Sequence, residues 1–174
     1  HAPLPLVLDA DALNLVAEEP GLQRILALRK EPSLMTPHPL EAARLLSSTA
    51  REVQSDRLAV ARELARRFNC VAVLKGSGSV VTKPDGEAMI NATGGPALAT
   101  AGTGDVLAGV CGALLAQSFP AWTAALAATW LHGRAADVLT EHHGGAIGMT
   151  ASELIPCLRK ILNQLVGKHD AGQQ

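Results

Sequence analysis

The sequence predicts an α/β layered fold with a mainly parallel central sheet. Short apolar runs recur ahead of stretches with helical spacing, the first ending in Asp9, the second at Pro37 and the third at Lys75-Gly76. A wholly helical remainder then follows one long glycine-rich loop, so strands alternate with helices early and helices alone come late. At 174 residues, with 48% hydrophobic and 18% charged side chains, the chain suits one domain and can bury a sizeable core. Aromatics are only 2%, so that core must be built from Leu, Val, Ile and Ala.

The elements follow in order. Pro5 to Asp9 is a short apolar run ending in a carboxylate, the pattern of a buried strand. Such an apolar parallel strand is expected to have neighbours on both sides rather than form an edge. A helix follows from about Ala12, and Pro20 opens a second through Lys30. Ser33 to Thr36 is a strand stopped by Pro37 and Pro39, and Pro39 suits the first turn of a helix over Glu41 to Leu46. Between Asp56 and Phe68, Leu58, Val60, Ala61, Leu64, Ala65 and Phe68 recur at helical spacing. Val71 to Leu74 is a third buried strand. Ser79 to Thr82 and Glu87 to Ile90 flank Lys83-Pro84-Asp85-Gly86, a hairpin with Asp-Gly in its turn. Asn91 to Gly104 reads as a loop without secondary structure, uncommon unless it works. Asp105 to Gln117 is apolar nearly all round and is expected to be a buried helix. Pro120 to Thr140 and Ala151 to Val166 read as amphipathic helices, and 167–174 as a polar tail that frays.

Composition excludes several function classes. A formal charge of −1 draws the protein to neither nucleic acid nor an anionic membrane, and few aromatics argue against a base-stacking platform. No apolar run reaches the length of a membrane span. Cys70, Cys111 and Cys157 lie in apolar stretches without metal-ligand spacing, so they read as buried thiols in a reducing cytoplasm.

The strongest chemical signal is Ala101-Gly102-Thr103-Gly104-Asp105 feeding an apolar helix. Glycines let successive N–H groups converge, and a helix N-terminus adds partial positive charge, which suits a phosphate. Asp105 can then take a proton from a hydroxyl held beside that phosphate. The bland alternative is a glycine turn in which Asp105 favours the helix dipole. A second group is Thr36-Pro37-His38-Pro39-Leu40-Glu41. It lies at a strand's carboxyl end, where parallel sheets bind ligands. Glu41 there can hold Mg2+ through water, or simply serve its helix dipole. A third is Lys75-Gly76-Ser77-Gly78-Ser79: the lysine can reach phosphate oxygens while the glycines admit a nucleotide, or the segment merely links two strands. A fourth is Asp9-Ala10-Asp11-Ala12-Leu13-Asn14, with Asp11 an ordinary helix cap and Asp9 or Asn14 structural or water-ordering. His132, His142, His143 and His169 show no ligand-like partners, and His142-His143 reads as a helix end.

In this order LDADALN (8–14), TPHPLEAARLL (36–46), LKGSGSV (74–80) and ATAGTGDVLAG (99–109) resemble the ADP/ATP-dependent NAD(P)H-hydrate dehydratases of the ribokinase-like superfamily. The similarity runs from Leu6 to about Val166. It implies a cytoplasmic enzyme that repairs hydrated NADH or NADPH with ADP or ATP and Mg2+, and a homo-oligomer, commonly a tetramer. By resemblance Asp105 activates the substrate hydroxyl and the Gly102, Thr103 and Gly104 amides stabilise the transferring phosphoryl group. Lys75, Gly76, Ser77, Gly78, Ser79 and Gly104 contact the nucleotide, His38 and Asp105 contact the hydrate, and Glu41 lies near the metal. Leu40, Ser79, Gly95 and Ala97 depart from the family's usual glycine, threonine, asparagine and glycine. The family domain also carries upstream strands and a glycine-rich stretch, so 1–174 is expected to be an incomplete catalytic domain. A ribokinase-like kinase of a small alcohol would share the Asp105 base and stop at the phosphate ester. A catalytically silent nucleotide-binding module would keep the cradle alone.

Overall fold

The computed structural model describes residues 3–171, and the side chains of 3–167. Five strands form one sheet in sequence order: β1 (Leu6–Leu8), β2 (Ser33–Met35), β3 (Val71–Leu74), β4 (Val80–Thr82) and β5 (Ala88–Ile90). The first three run parallel, with Val7 opposite Leu34 and Met35 opposite Ala72; β3, β4 and β5 then pair antiparallel through the expected hairpin.

Strand alternation sorts the core into two faces. Leu8, Met35, Ala72, Leu74 and Val80 face one layer of helices, which they bury with Leu13, Leu45, Leu64 and Phe68. That layer holds α1 (Asp11–Glu18), α2 (Pro20–Ala27), α3 (Pro39–Leu46), α4 (Ala50–Ser55) and α5 (Arg57–Phe68). Leu34, Val71, Val73 and Val81 face the other layer and pack on Leu107, Cys111, Leu115 and Ala128. The second layer holds α6 (Thr103–Ala116), α7 (Ala121–His143) and α8 (Ala151–Ala171). Leu131, Ala135, Leu154 and Leu158 form a third cluster between α7 and α8.

Several expectations are corrected. β1 is an edge strand among the described residues, its inner neighbour being β2 alone. Only Thr103, Leu107, Cys111 and Leu115 of α6 are buried. Asp105, Gly109, Ala113 and Ala116 stay exposed, because a helix packed from one side buries one stripe however apolar it is. The 91–104 loop is not structureless: Pro96–Ala99 forms a 3-10 turn, and α6 begins at Thr103. The second helix ends at Ala27 rather than Lys30. α4, unforeseen, is held by a capping box in which Thr49 and Glu52 satisfy each other's backbone N–H. Helix α8 runs through Ala171, so the expected fraying from 167 is helical that far, and 172–174 lie outside the described residues. Asp11 does not cap α1; it is the first helical residue, behind an Ala10 that makes no side-chain cap.

Ala10 carries a positive φ of 49° with ψ of −123°, a region that glycine tolerates and a Cβ does not. Releasing that strain outweighs the extra chain entropy of a glycine, so Ala10→Gly should stabilise the fold by about 1 kcal/mol. Urea unfolding checks it: the midpoint should rise with unchanged slope, and a lower midpoint contradicts the argument.

Candidate active site

The carboxyl ends of β1, β2 and β3 meet the mouth of α6. Asp9 leaves β1 and Lys75 leaves β3, and the Lys75 Nζ lies 2.7 Å from Asp9 Oδ1. The Lys75 backbone N–H donates to the Pro37 carbonyl at 2.8 Å, tying the end of β3 to the loop after β2. Glu41, only 5% exposed, stands with one carboxylate oxygen 3.9 Å from the same ammonium. One cation therefore balances two carboxylates, a burial tolerated because the charges are paired.

His38 caps α3. Its Nδ1 accepts from the N–H groups of Leu40 and Glu41 at 3.1 and 3.3 Å, and its own N–H donates to Glu41 Oε2 at 2.7 Å. An accepting Nδ1 places the neutral ring's hydrogen on Nε2, 3.3 Å from Glu41 Oε1. His38 remains 45% exposed and can still meet a ligand, whereas Glu41 is committed to its neighbours.

The Lys75–Ser79 loop is folded by its own side chains. The Gly76 N–H donates to Ser79 Oγ at 3.3 Å, and that hydroxyl donates to the Gly76 carbonyl at 3.2 Å. The Arg57 guanidinium, on α5, donates to the Ser77 carbonyl and, at 3.1 Å, to that of Leu74. The carbonyls of Leu74 and Ser77 are thus both held by one cation, and the pKa of Arg57 is lowered by burial.

Across from this loop, Gly102 takes a φ of 84° and starts α6. Thr103 turns inward: its hydroxyl lies 2.8 Å from both the Leu98 and Thr100 carbonyls, and its N–H reaches Thr100 at 3.4 Å. The N–H groups of Gly104 and Asp105 find no partner among the described residues. They are the free donors of the helix mouth. Asp105 is exposed beside them.

A cavity of about 400 Å3 separates the two walls, lined by Lys75 to Ser79 on one side and by Thr103, Gly104, Thr129 and His132 on the other. The 91–95 segment closes it and is clamped by α7. Thr93 Oγ1 donates to the Trp130 carbonyl at 3.0 Å, and the Gly94 N–H meets both oxygens of Asp137 at 3.1 Å. Gly133 permits the approach, since a Cβ there would lie 2.2 Å from Thr93 Oγ1.

The structure thus brings Lys75, Gly76, Ser77, Gly78, Ser79, Thr103 and Gly104 to one cavity. Gly102 and Asp105 sit at the helix mouth outside its lining, and His38 and Glu41 reach the group only through Lys75. Asn14 is not in the group: its Oδ1 accepts from Arg44 at 2.8 Å on an exposed surface. Sequence reasoning missed His132, Thr129 and Asp137, which lie far along the chain from every glycine-rich signal. His132 has no ligand-like partner in its sequence surroundings, and its Nε2 lies 2.8 Å from the Thr103 carbonyl of another helix. The three cysteines are free and buried, and burial pushes Cys70 and Cys111 up to about 12, which leaves them protonated and inert.

Burial lowers the pKa of His132, opposed by its bond to Thr103 and aided by the charge of Lys75. The unfolded chain therefore binds this proton first, and native stability should be complete above the unfolded value near 6.5 and fall as the pH drops below it. Thermal melts from neutral into mildly acid buffer check this, and His132→Gln should flatten that part of the profile.

A family model described as NAD(P)H-hydrate dehydratase matches residues 1–160. The chain is 47% identical over 165 residues to the ADP-dependent (S)-NAD(P)H-hydrate dehydratase of Neisseria meningitidis, covering 95% of this chain and 55% of that protein. It is 45% identical to the bifunctional NAD(P)H-hydrate repair enzyme of Escherichia coli, covering 91% of this chain and 29% of that one. Among solved structures, the Bacillus subtilis ADP/ATP-dependent NAD(P)H-hydrate dehydratase co-crystallized with ATP/Mg2+ superposes with a TM-score of 0.78 at 34% identity. That match covers 92% of this chain and 55% of the other. A ribokinase-like superfamily protein from Enterococcus faecalis follows at a TM-score of 0.72 and 25% identity, covering 91% of this chain and 52% of that one. The chain spans about half the length of the Neisseria relative and under a third of the bifunctional one. With its three-strand parallel core, its paired loops and a family model spanning 1–160, the chain belongs to the NAD(P)H-hydrate dehydratase family.

Proposed function

We propose that the protein carrying this chain dehydrates hydrated NADH or NADPH at the expense of an adenine nucleotide. The observation that carries the reading is one cavity with the Lys75–Ser79 loop on one wall and the unpaired Gly104 N–H on the other. In this reading the nucleotide lies in the cavity with its terminal phosphate toward the α6 mouth. The hydrate lies outside it, between Asp105 and the exposed edge of His38.

Asp105 takes the proton from the C6 hydroxyl as that oxygen attacks phosphorus, and the bond from phosphorus to the departing nucleotide breaks. Charge on the transferring group is met by the N–H groups of Gly104 and Asp105 and by the helix dipole. Gly102 supplies the left-handed turn that aims them, and Thr103 anchors that turn. The ring nitrogen's lone pair then expels phosphate from C6. Loss of a proton from C5 restores the double bond and the reduced dinucleotide. Lys75 is held by Asp9 and Glu41, so in this proposal it screens those carboxylates from the incoming phosphates.

Mg2+ belongs to the proposal as a companion of the nucleotide, whose phosphate charge it would neutralise. No three His, Cys, Asp or Glu side chains converge among the described residues, and Glu41 is already taken by His38 and Lys75. The chain's own donors therefore do not fit a direct metal cage, and no step above depends on one. No helix among the described residues is long and apolar enough to cross a membrane. A cytoplasmic location and a homo-oligomeric, tetrameric state complete the reading.

The test is a hydrate-repair assay on the full gene product containing this sequence, with ADP and ATP in parallel. One phosphate and one reduced dinucleotide should appear per hydrate consumed. A stable phosphate ester would point instead to a kinase, and binding without turnover to a silent module.

A further inference from the structure

We infer that His132 is a positioning residue for the phosphoryl cradle: from α7 it fixes the Thr103–Gly104 peptide so that the Gly104 N–H faces the cavity. The deduction rests on the proposed function only for what the cradle grips. The geometry itself is independent of that.

The carbonyl of Thr103 and the N–H of Gly104 belong to the same peptide group. His132 Nε2 lies 2.8 Å from that carbonyl oxygen, and a carbonyl can only accept, so Nε2 must carry the hydrogen. A peptide whose oxygen receives a donor is polarised, and its N–H becomes a better donor in turn. The Gly104 N–H, without a partner among the described residues, is therefore strengthened by a residue 28 positions away that lies against the same cavity. The contact also fixes the plane of that peptide. Gly104 has no Cβ to hold it, while Thr103 is pinned on its other side by the Leu98 and Thr100 carbonyls. His132 is 7% exposed and belongs to the same helix, α7, whose Trp130 carbonyl and Asp137 carboxylate hold the 91–95 segment. One rigid helix thus sets both the cavity's closing loop and the orientation of its anion-facing amide.

Three readouts test the inference. In the wild-type chain, nitrogen NMR of the imidazole should show hydrogen on Nε2 and a bare Nδ1 at neutral pH; the opposite tautomer cannot donate to Thr103 and overturns the proposal. In His132→Leu the Gly104 amide proton should move upfield while those of Gly21 and Gly86 stay in place. His132→Gln, which keeps an N–H donor at similar reach, should restore it. In the full gene product His132→Leu should lower kcat about tenfold, less than loss of a whole oxyanion donor, with KM for nucleotide changed under about threefold. His132→Gln should recover most of that kcat. An unmoved Gly104 amide in His132→Leu, or equal losses in both variants, overturns the positioning role. If the wild type repairs no hydrate while the Gly104 amide responds as stated, the dehydratase reading fails and the positioning role stands.

Discussion

Asp105→Asn should lower hydrate turnover by about 10³-fold, within the range for losing a positioned general base, and leave nucleotide affinity unchanged. The substitution keeps the size of the side chain and removes only its capacity to take a proton. Asp105 is exposed at the first turn of α6 and makes no ion pair or side-chain hydrogen bond among the described residues, so stability should hardly move. Loss of a favourable charge at a helix N-terminus accounts for about 0.5 kcal/mol at most. Rapid-quench single turnovers, paired with calorimetric titration of ADP, separate the two quantities. Full activity in the variant would remove the carboxylate from the mechanism. Equal losses in binding and turnover would make it a binding residue instead.

Gly133→Ala should destabilise the fold by about 3 kcal/mol or more, because overpacking against backbone has no cheap relaxation. The added Cβ would lie 2.2 Å from Thr93 Oγ1, and also 2.6 and 2.7 Å from the backbone carbon and oxygen of Thr93. Moving a side chain cures only the first contact. Thr93→Ala in the same chain should therefore rescue little, and this makes the double variant decisive. Denaturant midpoints measure the stability, and ADP titration measures the cavity, whose 91–95 segment must move away from α7. A wild-type midpoint in Gly133→Ala would show that the loop does not rest on the helix.

Much of this architecture was legible because its signals are local. Apolar runs ended by Asp9, Pro37 and Lys75 mark the three parallel strands, and Asp85-Gly86 marks the hairpin turn. The cradle and the Lys75–Ser79 loop were legible for the same reason: a glycine-rich run beside a helix start needs no tertiary knowledge. What escaped depended on distance in space. The glycine-rich loop marks Lys75 as able to reach phosphate, but its pairing with Asp9, 66 residues away in the chain and 2.7 Å away in space, leaves no local trace. His132 had no sequence neighbour to give it meaning, because its partner is a backbone carbonyl on another helix. The burial of α6 was overestimated since composition counts apolar side chains but does not reveal how many sides are covered. The box at Thr49 and Glu52 is a local signal, but α4, six residues long, is too short to show a helical repeat of apolar positions.

Helix α7 touches the cavity's surroundings at Trp130, His132, Gly133 and Asp137, all within two turns. A single inserted or deleted residue upstream in that helix would rotate these positions by about 100°, carrying every one of them out of phase together. Length variation in this lineage should consequently gather in the Gly144–Gly148 connection, beyond the last of these anchors, while the stretch from Ala121 to Asp137 keeps its count of residues.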